Sequence, residues 1–181
     1  MHMTGVSSPV CGGAVRGGEE RLARAGLRSG GWTACWRRIV ATMGETKPPA
    51  IVDLVWTGDL VFAASDSTHA WVLDGKNLKG PSPVIALAAA LAGCMSIDLV
   101  DILAKGRHAV RGVKAHLVGH RADAAPRRFM RIELTYVLDT DAPADAIQRA
   151  IDLSREKYCS VWHSMRQDIG LTVSYTIGER G

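Results

Sequence analysis

The chain has 181 residues, 47% of them hydrophobic, which is enough for one domain with its own core and too few for two of ordinary size. Its formal net charge of +4 is carried by residues 1–42, where Arg16, Arg21, Arg24, Arg28, Arg37 and Arg38 outweigh Glu19 and Glu20; the remainder holds sixteen basic and sixteen acidic residues. A neutral body excludes a nucleic-acid surface built on bulk charge, so no nucleic-acid partner is expected.

Residues 1–42 scatter Gly and Arg among small side chains with no sustained period of 2 or 3.6, and are expected to form a disordered or mis-assigned extension. No uninterrupted apolar run of the roughly 7–15 residues a secretory signal needs precedes Met43. Glu19 and Glu20 among the arginines also argue against a transit peptide, so a cytoplasmic protein is expected. Met43 opens a more ordinary sequence, and residues 43–181 are expected to form a single domain. Cys11, Cys35, Trp32 and Trp36 then stand outside the fold.

From Ile51 the chain falls into short β-like runs, Ile51 to Trp56, Leu60 to Ala64 and Ala70 to Leu73, punctuated by Thr57-Gly58-Asp59 and Asp66-Ser67-Thr68. That pattern predicts a β-meander. Ser82-Pro83 then suits a helix start, with serine as N-cap and proline at the first helical position, and the helix runs from Val84 to about Leu103. It is apolar nearly all round over VIALAAALAGCMSI. The run is shorter than the ~18–20 residues a bilayer needs, and Asp98 and Asp101 follow, so a buried central helix is expected rather than a membrane span. Its small residues, Ala86, Ala88, Ala89, Ala90, Ala92 and Gly93, would admit close neighbours around Cys94. One short meander and one hairpin are too little to cover such a helix, so a second subunit is expected to complete the core.

Val113 to Arg121 and Phe129 to Leu138 alternate strongly, with Met130, Ile132, Leu134, Tyr136 and Leu138 on one face, and read as a hairpin around Ala124-Ala125-Pro126. Arg127, Arg128 and Arg131, beside Glu133, read as a solvated face. Asp141 and Pro143 open a second helix with Ile147, Ile151, Ser154, Tyr158, Val161, Trp162 and Met165 on one stripe. At about 100° per residue Cys159 falls at the edge of that stripe, one turn from both Arg155 and His163. Trp162 and Tyr158 read as core or dimer contacts. Leu171, Val173, Tyr175 and Ile177 close the chain as a strand, giving the order β-β-β-α-β-β-α-β and an α+β fold.

The folded body keeps two cysteines, Cys94 and Cys159, with no C-x-x-C and no compact Cys/His cluster. No metal, cofactor or disulfide framework is therefore expected. From the residues alone each thiol reads as a small core hydrophobe or as a redox centre.

GPSPVIALAAALAGCMSIDLVDIL from Gly80 to Leu103 resembles the Gly-Pro-Ser-Pro then Ala-Gly-Cys segment of OsmC-like proteins, and SREKYCSV from Ser154 to Val161 resembles their second cysteine segment. The likeness spans about Ile51 to Ile177. It implies an intertwined homodimer with active sites at the subunit interface and thiol-dependent reduction of a small organic hydroperoxide. On that resemblance Cys94 is the peroxidatic and Cys159 the resolving thiol, with an external, lipoyl-type dithiol as reductant. The family's peroxidases activate the thiol with an arginine from the N-terminal strands and a glutamate early in the central helix. Here the helix opens Pro83-Val84-Ile85-Ala86, and Ile51 to Leu73 contain no arginine. Candidate substitutes are His69, in a segment, STHAWVLDG, that resembles the Ser-Gly-His segment of an OsmC-like branch, together with Arg107, Arg155 and His163; each also reads as a solvated or turn residue. Two rivals stay open: a non-catalytic protein binding a small molecule or partner, and a structural dimer with core cysteines.

Overall fold

The computed structural model describes residues 48–178. The elements below all lie in the compact unit Ile51–Gly181. The expectations for residues 1–42 and for a boundary at Met43 lie outside the described residues.

Three short strands, β1 (Asp53–Gly58), β2 (Val61–Ser65) and β3 (Ala70–Asp74), form an antiparallel meander with β2 in the middle. Asp59 sits at φ 53° in the first turn, where the short polar side chain of Asp tolerates the left-handed region. After β3 the buried carboxylate of Asp74 accepts the backbone N–H groups of Lys76, Leu78 and Lys79, which hold it below the usual carboxylate range and fix the loop leading into helix α1 (Pro83–Lys105). Pro83 opens α1 as expected, but the Ser82 side chain makes no capping bond; its backbone N–H is instead taken by Asn77 Oδ1.

The second sheet contains β4 (Val110–Arg121), β5 (Phe129–Thr140) and β6 (Gly170–Ile177). β5 is central, antiparallel to β4 and parallel to β6. Along β5, Ile132, Leu134, Tyr136 and Leu138 turn into the core with Leu91, Met95, Leu99 and Leu103 of α1. Met130 departs from the expected face and is exposed, because the register shifts between His120 and Arg121 and Phe129 is buried in its place. The Phe129 ring lies where a side chain on Gly119 would be, with Cε1 only 2.3 Å from an ideal Cβ position.

Two expectations need correction. The second helix is not continuous: it divides into α2 (Ala144–Leu153), a π-helical turn over Ser154–Tyr158, and a short α3 (Ser160–His163). Cys159 interrupts the helical path at φ −69°, ψ 94°; Tyr158 is exposed, whereas Val161, Trp162 and Met165 still pack on the core as expected. Nor is α1 buried all round. Leu91, Met95, Leu99 and Leu103 form one buried stripe at four-residue spacing, whereas Ile85, Leu87, Ile97 and Val100 are exposed. An added Cβ on Gly93 would meet nothing within 4 Å, whereas Ala88 and Ala92 pack against the core cluster. At 23 residues α1 is long and apolar enough to cross a bilayer by length and composition. Its leucine stripe nonetheless packs into the same cluster as β5 and α2, and we read it as a core helix.

The meander also exposes much apolar surface. Leu54, Val55 and Trp56 in β1, Phe62 in β2 and Trp71 in β3 are all exposed, and an apolar groove lined by Leu54, Leu60, Phe62, Leu73 and Pro83 runs beside the start of α1.

Candidate functional site

Cys94 lies at the middle of α1, between the buried Leu91 and Met95, and is partly exposed. Asp98 follows one turn later on the same face. The approach from the other helix is set by the π-helical turn. Its closing bond runs from the Cys159 N–H to the Ser154 carbonyl at 2.8 Å, one residue longer than an α-helical bond. This turn buries Ser154, whose hydroxyl donates to Asp98 Oδ2 at 2.7 Å, and carries Cys159 beneath α1 with no exposed surface.

The sulfurs of Cys94 and Cys159 and a carboxylate oxygen of Asp98 consequently lie within 4.8 Å of one another. Both cysteines are free thiols. Cys159 Sγ accepts the Trp162 N–H at 3.4 Å, which favours its thiolate, but burial dominates and pushes its pKa up to about 12, with Cys94 and Asp98 adding to the rise. Tyr136 supplies a further polar group from β5. Its hydroxyl is buried beside Ser96 without a hydrogen bond of good geometry; burial raises its pKa to about 12 against the lowering by Ser96, and Cys159, Asp98 and Cys94 add to the rise.

The structure brings together Cys94 and Cys159 and leaves the four candidate activators on exposed surface. His69 is in the turn before β3, its Nδ1 held by Thr68 Oγ1 at 2.7 Å and by Asp66 at 3.2 Å. Arg107 ends α1 in a left-handed conformation, φ 65°, and its N–H caps Ala104 O at 2.9 Å. Arg155 is on the π-helical turn and His163 closes α3, and neither joins the group of sulfurs and carboxylate. The expectation of one helical turn holds for His163, whose N–H donates to the Cys159 carbonyl at 3.0 Å, and fails for Arg155, because the path from Ser154 to Cys159 is a π-helical turn. Sequence reading missed Asp98, although its i+4 spacing from Cys94 on a helix was a usable signal; Ser154 and Tyr136 carried none beyond an inward-facing pattern.

The model of the family described as OsmC-like protein matches residues 74–174, which include both cysteines. The chain is 38% identical over 125 residues to Protein YhfA of Escherichia coli (strain K12), an alignment covering 67% of this chain and 93% of that protein. Its fold resembles the crystal structure of a hypothetical protein from Aquifex aeolicus VF5, with a TM-score of 0.68, 27% identity, and coverage of 73% of this chain and 98% of that one. It also resembles an organic hydroperoxide resistance protein OsmC from Legionella pneumophila, with a TM-score of 0.56, 12% identity, and coverage of 73% and 99%. At that identity the second likeness concerns the fold alone. The chain belongs to the OsmC-like family.

Proposed function

We propose that this protein is a cytoplasmic, two-cysteine, thiol-dependent hydroperoxide reductase that works as a homodimer. The observation that carries the reading is the closeness of two free thiols from different helices, one partly exposed and one buried. Cys94, open to solvent, is the attacking thiol. Its thiolate takes the distal oxygen of R–O–O–H, becoming Cys94–S–OH, while the alkoxide takes a proton and leaves as ROH. The Cys159 thiol then condenses with the sulfenic acid, forming the disulfide and releasing water. An external dithiol of lipoyl type reduces the disulfide by exchange and leaves oxidised.

The exposed apolar strands of the meander and the bare face of α1 support a dimer, in which the meander of one subunit covers the α1 of its partner. In such a dimer His69, exposed on the meander with Nδ1 held by Asp66 and Thr68, is the candidate activator that would reach the partner's thiols. Peroxide turnover with the single variants tests the assignment. Cys94→Ser abolishes consumption, whereas Cys159→Ser allows one oxidation of Cys94 and then stalls. Oxidation of Cys159 alone would reverse the roles.

One observation favours a non-catalytic, ligand-binding or partner-binding protein instead: no cation is among the groups that act most strongly on Cys159, and the family's arginine and glutamate are missing from the positions searched. Absence of any thiol oxidation at millimolar peroxide would make that reading the better one.

A further inference from the structure

The pair of thiols is accompanied by a carboxylate and an unpaired phenol, a donor set that redox chemistry of two cysteines does not require. Two sulfurs and a carboxylate oxygen within 4.8 Å of one another come close to the spacing of a tetrahedral zinc site, where bonds of about 2.3 Å put sulfurs about 3.8 Å apart. We infer that Cys94, Cys159 and Asp98 form a site for a thiophilic divalent cation of the zinc class in the reduced protein.

Three features support the site. Ser154 holds Asp98 Oδ2 and leaves the other carboxylate oxygen free to ligate, an outer hydrogen bond of the kind that orients carboxylate ligands. Tyr136 O–H, fully buried beside Ser96 but making no hydrogen bond of good geometry, can turn to donate to a ligating sulfur or to a water in the fourth position. Finally, Cys94 and Asp98 are partly exposed, so one side of the group is open to an entering ion. The mixed sulfur and oxygen donor set suits zinc better than calcium or magnesium, which take oxygen alone. Binding releases the two thiol protons to solvent, and the metal makes bonds to two thiolates and one carboxylate without change of oxidation state. The absence of a metal motif in the sequence reflects local spacing only, because these ligands come from two distant helices.

The site needs reduced thiols but does not rest on their peroxidase activity. Its test uses the full chain carrying Cys11→Ser and Cys35→Ser, titrated with Co²⁺ without oxygen or peroxide. The expected result is one ion per chain, with thiolate-to-cobalt charge-transfer absorption and the intense visible bands of tetrahedral cobalt. Cys94→Ser or Cys159→Ser weakens that absorption, and Asp98→Asn keeps it but lowers affinity about tenfold or more. No charge-transfer band at tenfold excess Co²⁺, or undiminished binding by Cys94→Ser or Asp98→Asn, would overturn the site. Circular dichroism checks each variant's fold. Should a variant not fold, the parent decides: one equivalent of Zn²⁺ should slow alkylation of Cys94 about tenfold, and an unchanged rate overturns the site. Failure of this binding leaves the peroxide chemistry standing, and failure of peroxide turnover leaves this binding standing.

Discussion

Ser154 Oγ donates a 2.7 Å hydrogen bond to Asp98 Oδ2 across 56 positions of sequence, joining the π-helical turn to α1 beside both cysteines. Asp98 is only partly exposed, and Ser154 is its one hydrogen-bond donor seen among the described residues. Ser154→Ala should therefore destabilise the protein by about 1–3 kcal/mol, the usual result of leaving a shielded polar group unpaired. Urea denaturation with the slope held constant measures it. An unchanged midpoint would show that solvent replaces the serine without loss.

The raised pKa of Cys159 predicts a pH dependence of stability. An unfolded thiol ionises from about pH 9, whereas the folded one holds its proton to about 12. The unfolded state thus binds fewer protons across that window, and stability, complete below pH 9, falls as pH rises through it by at most about 1.4 kcal/mol per unit. Thermal unfolding from pH 7 to 11 should show a steeper decline in the parent than in Cys159→Ser. Parallel curves would contradict the shift. Burial both holds the Cys159 proton and keeps reagents away, so alkylation should reach the partly exposed Cys94 long before Cys159.

The order of elements was legible because each carries its period openly: the alternation along β5, the turn residues of the meander and Pro83 at the start of α1. The π-helical turn was not, since Ser154 to Tyr158 reads as ordinary helix and the extra residue per turn is imposed by how Ser154 and Cys159 dock under α1. The candidate site was half visible. Two cysteine segments could be named, but Asp98 became interesting only when the fold placed its carboxylate within 4.8 Å of both sulfurs. The uniform apolarity of α1, too extensive for one meander and one hairpin to cover, foretold that a single chain would leave a face bare, although which residues lie on it depended on the fold.

That bare face gives a prediction about assembly. Trp56 and Val55 are each 64% exposed and Ile97 on α1 is 70% exposed, a distribution that a dimer removes from water. Sedimentation equilibrium should show a dimer at micromolar concentration, and Trp56→Glu should shift it toward monomer. A stable, well-folded monomer of the parent would contradict the dimer.

Gly119 tests the sheet that supports the site. An added methyl would meet the Phe129 ring at 2.3 Å from Cε1 and 2.8 Å from Cδ1. Gly119→Ala should cost about 1–3 kcal/mol through overpacking, and Phe129→Leu in the same chain should recover part of it. Equal stability of Gly119→Ala and parent in urea denaturation would show that the ring moves freely aside.

The account's central claim is that Cys94 and Cys159 act as one redox pair, and thiol counting with peptide mass mapping tests it most directly. The reduced protein is treated with one molar equivalent of an organic hydroperoxide and quenched by alkylation. The account predicts the loss of two thiols per chain and a Cys94–Cys159 disulfide without cross-linking of subunits. Recovery of both cysteines as alkylated thiols, with the peroxide unconsumed, would contradict it.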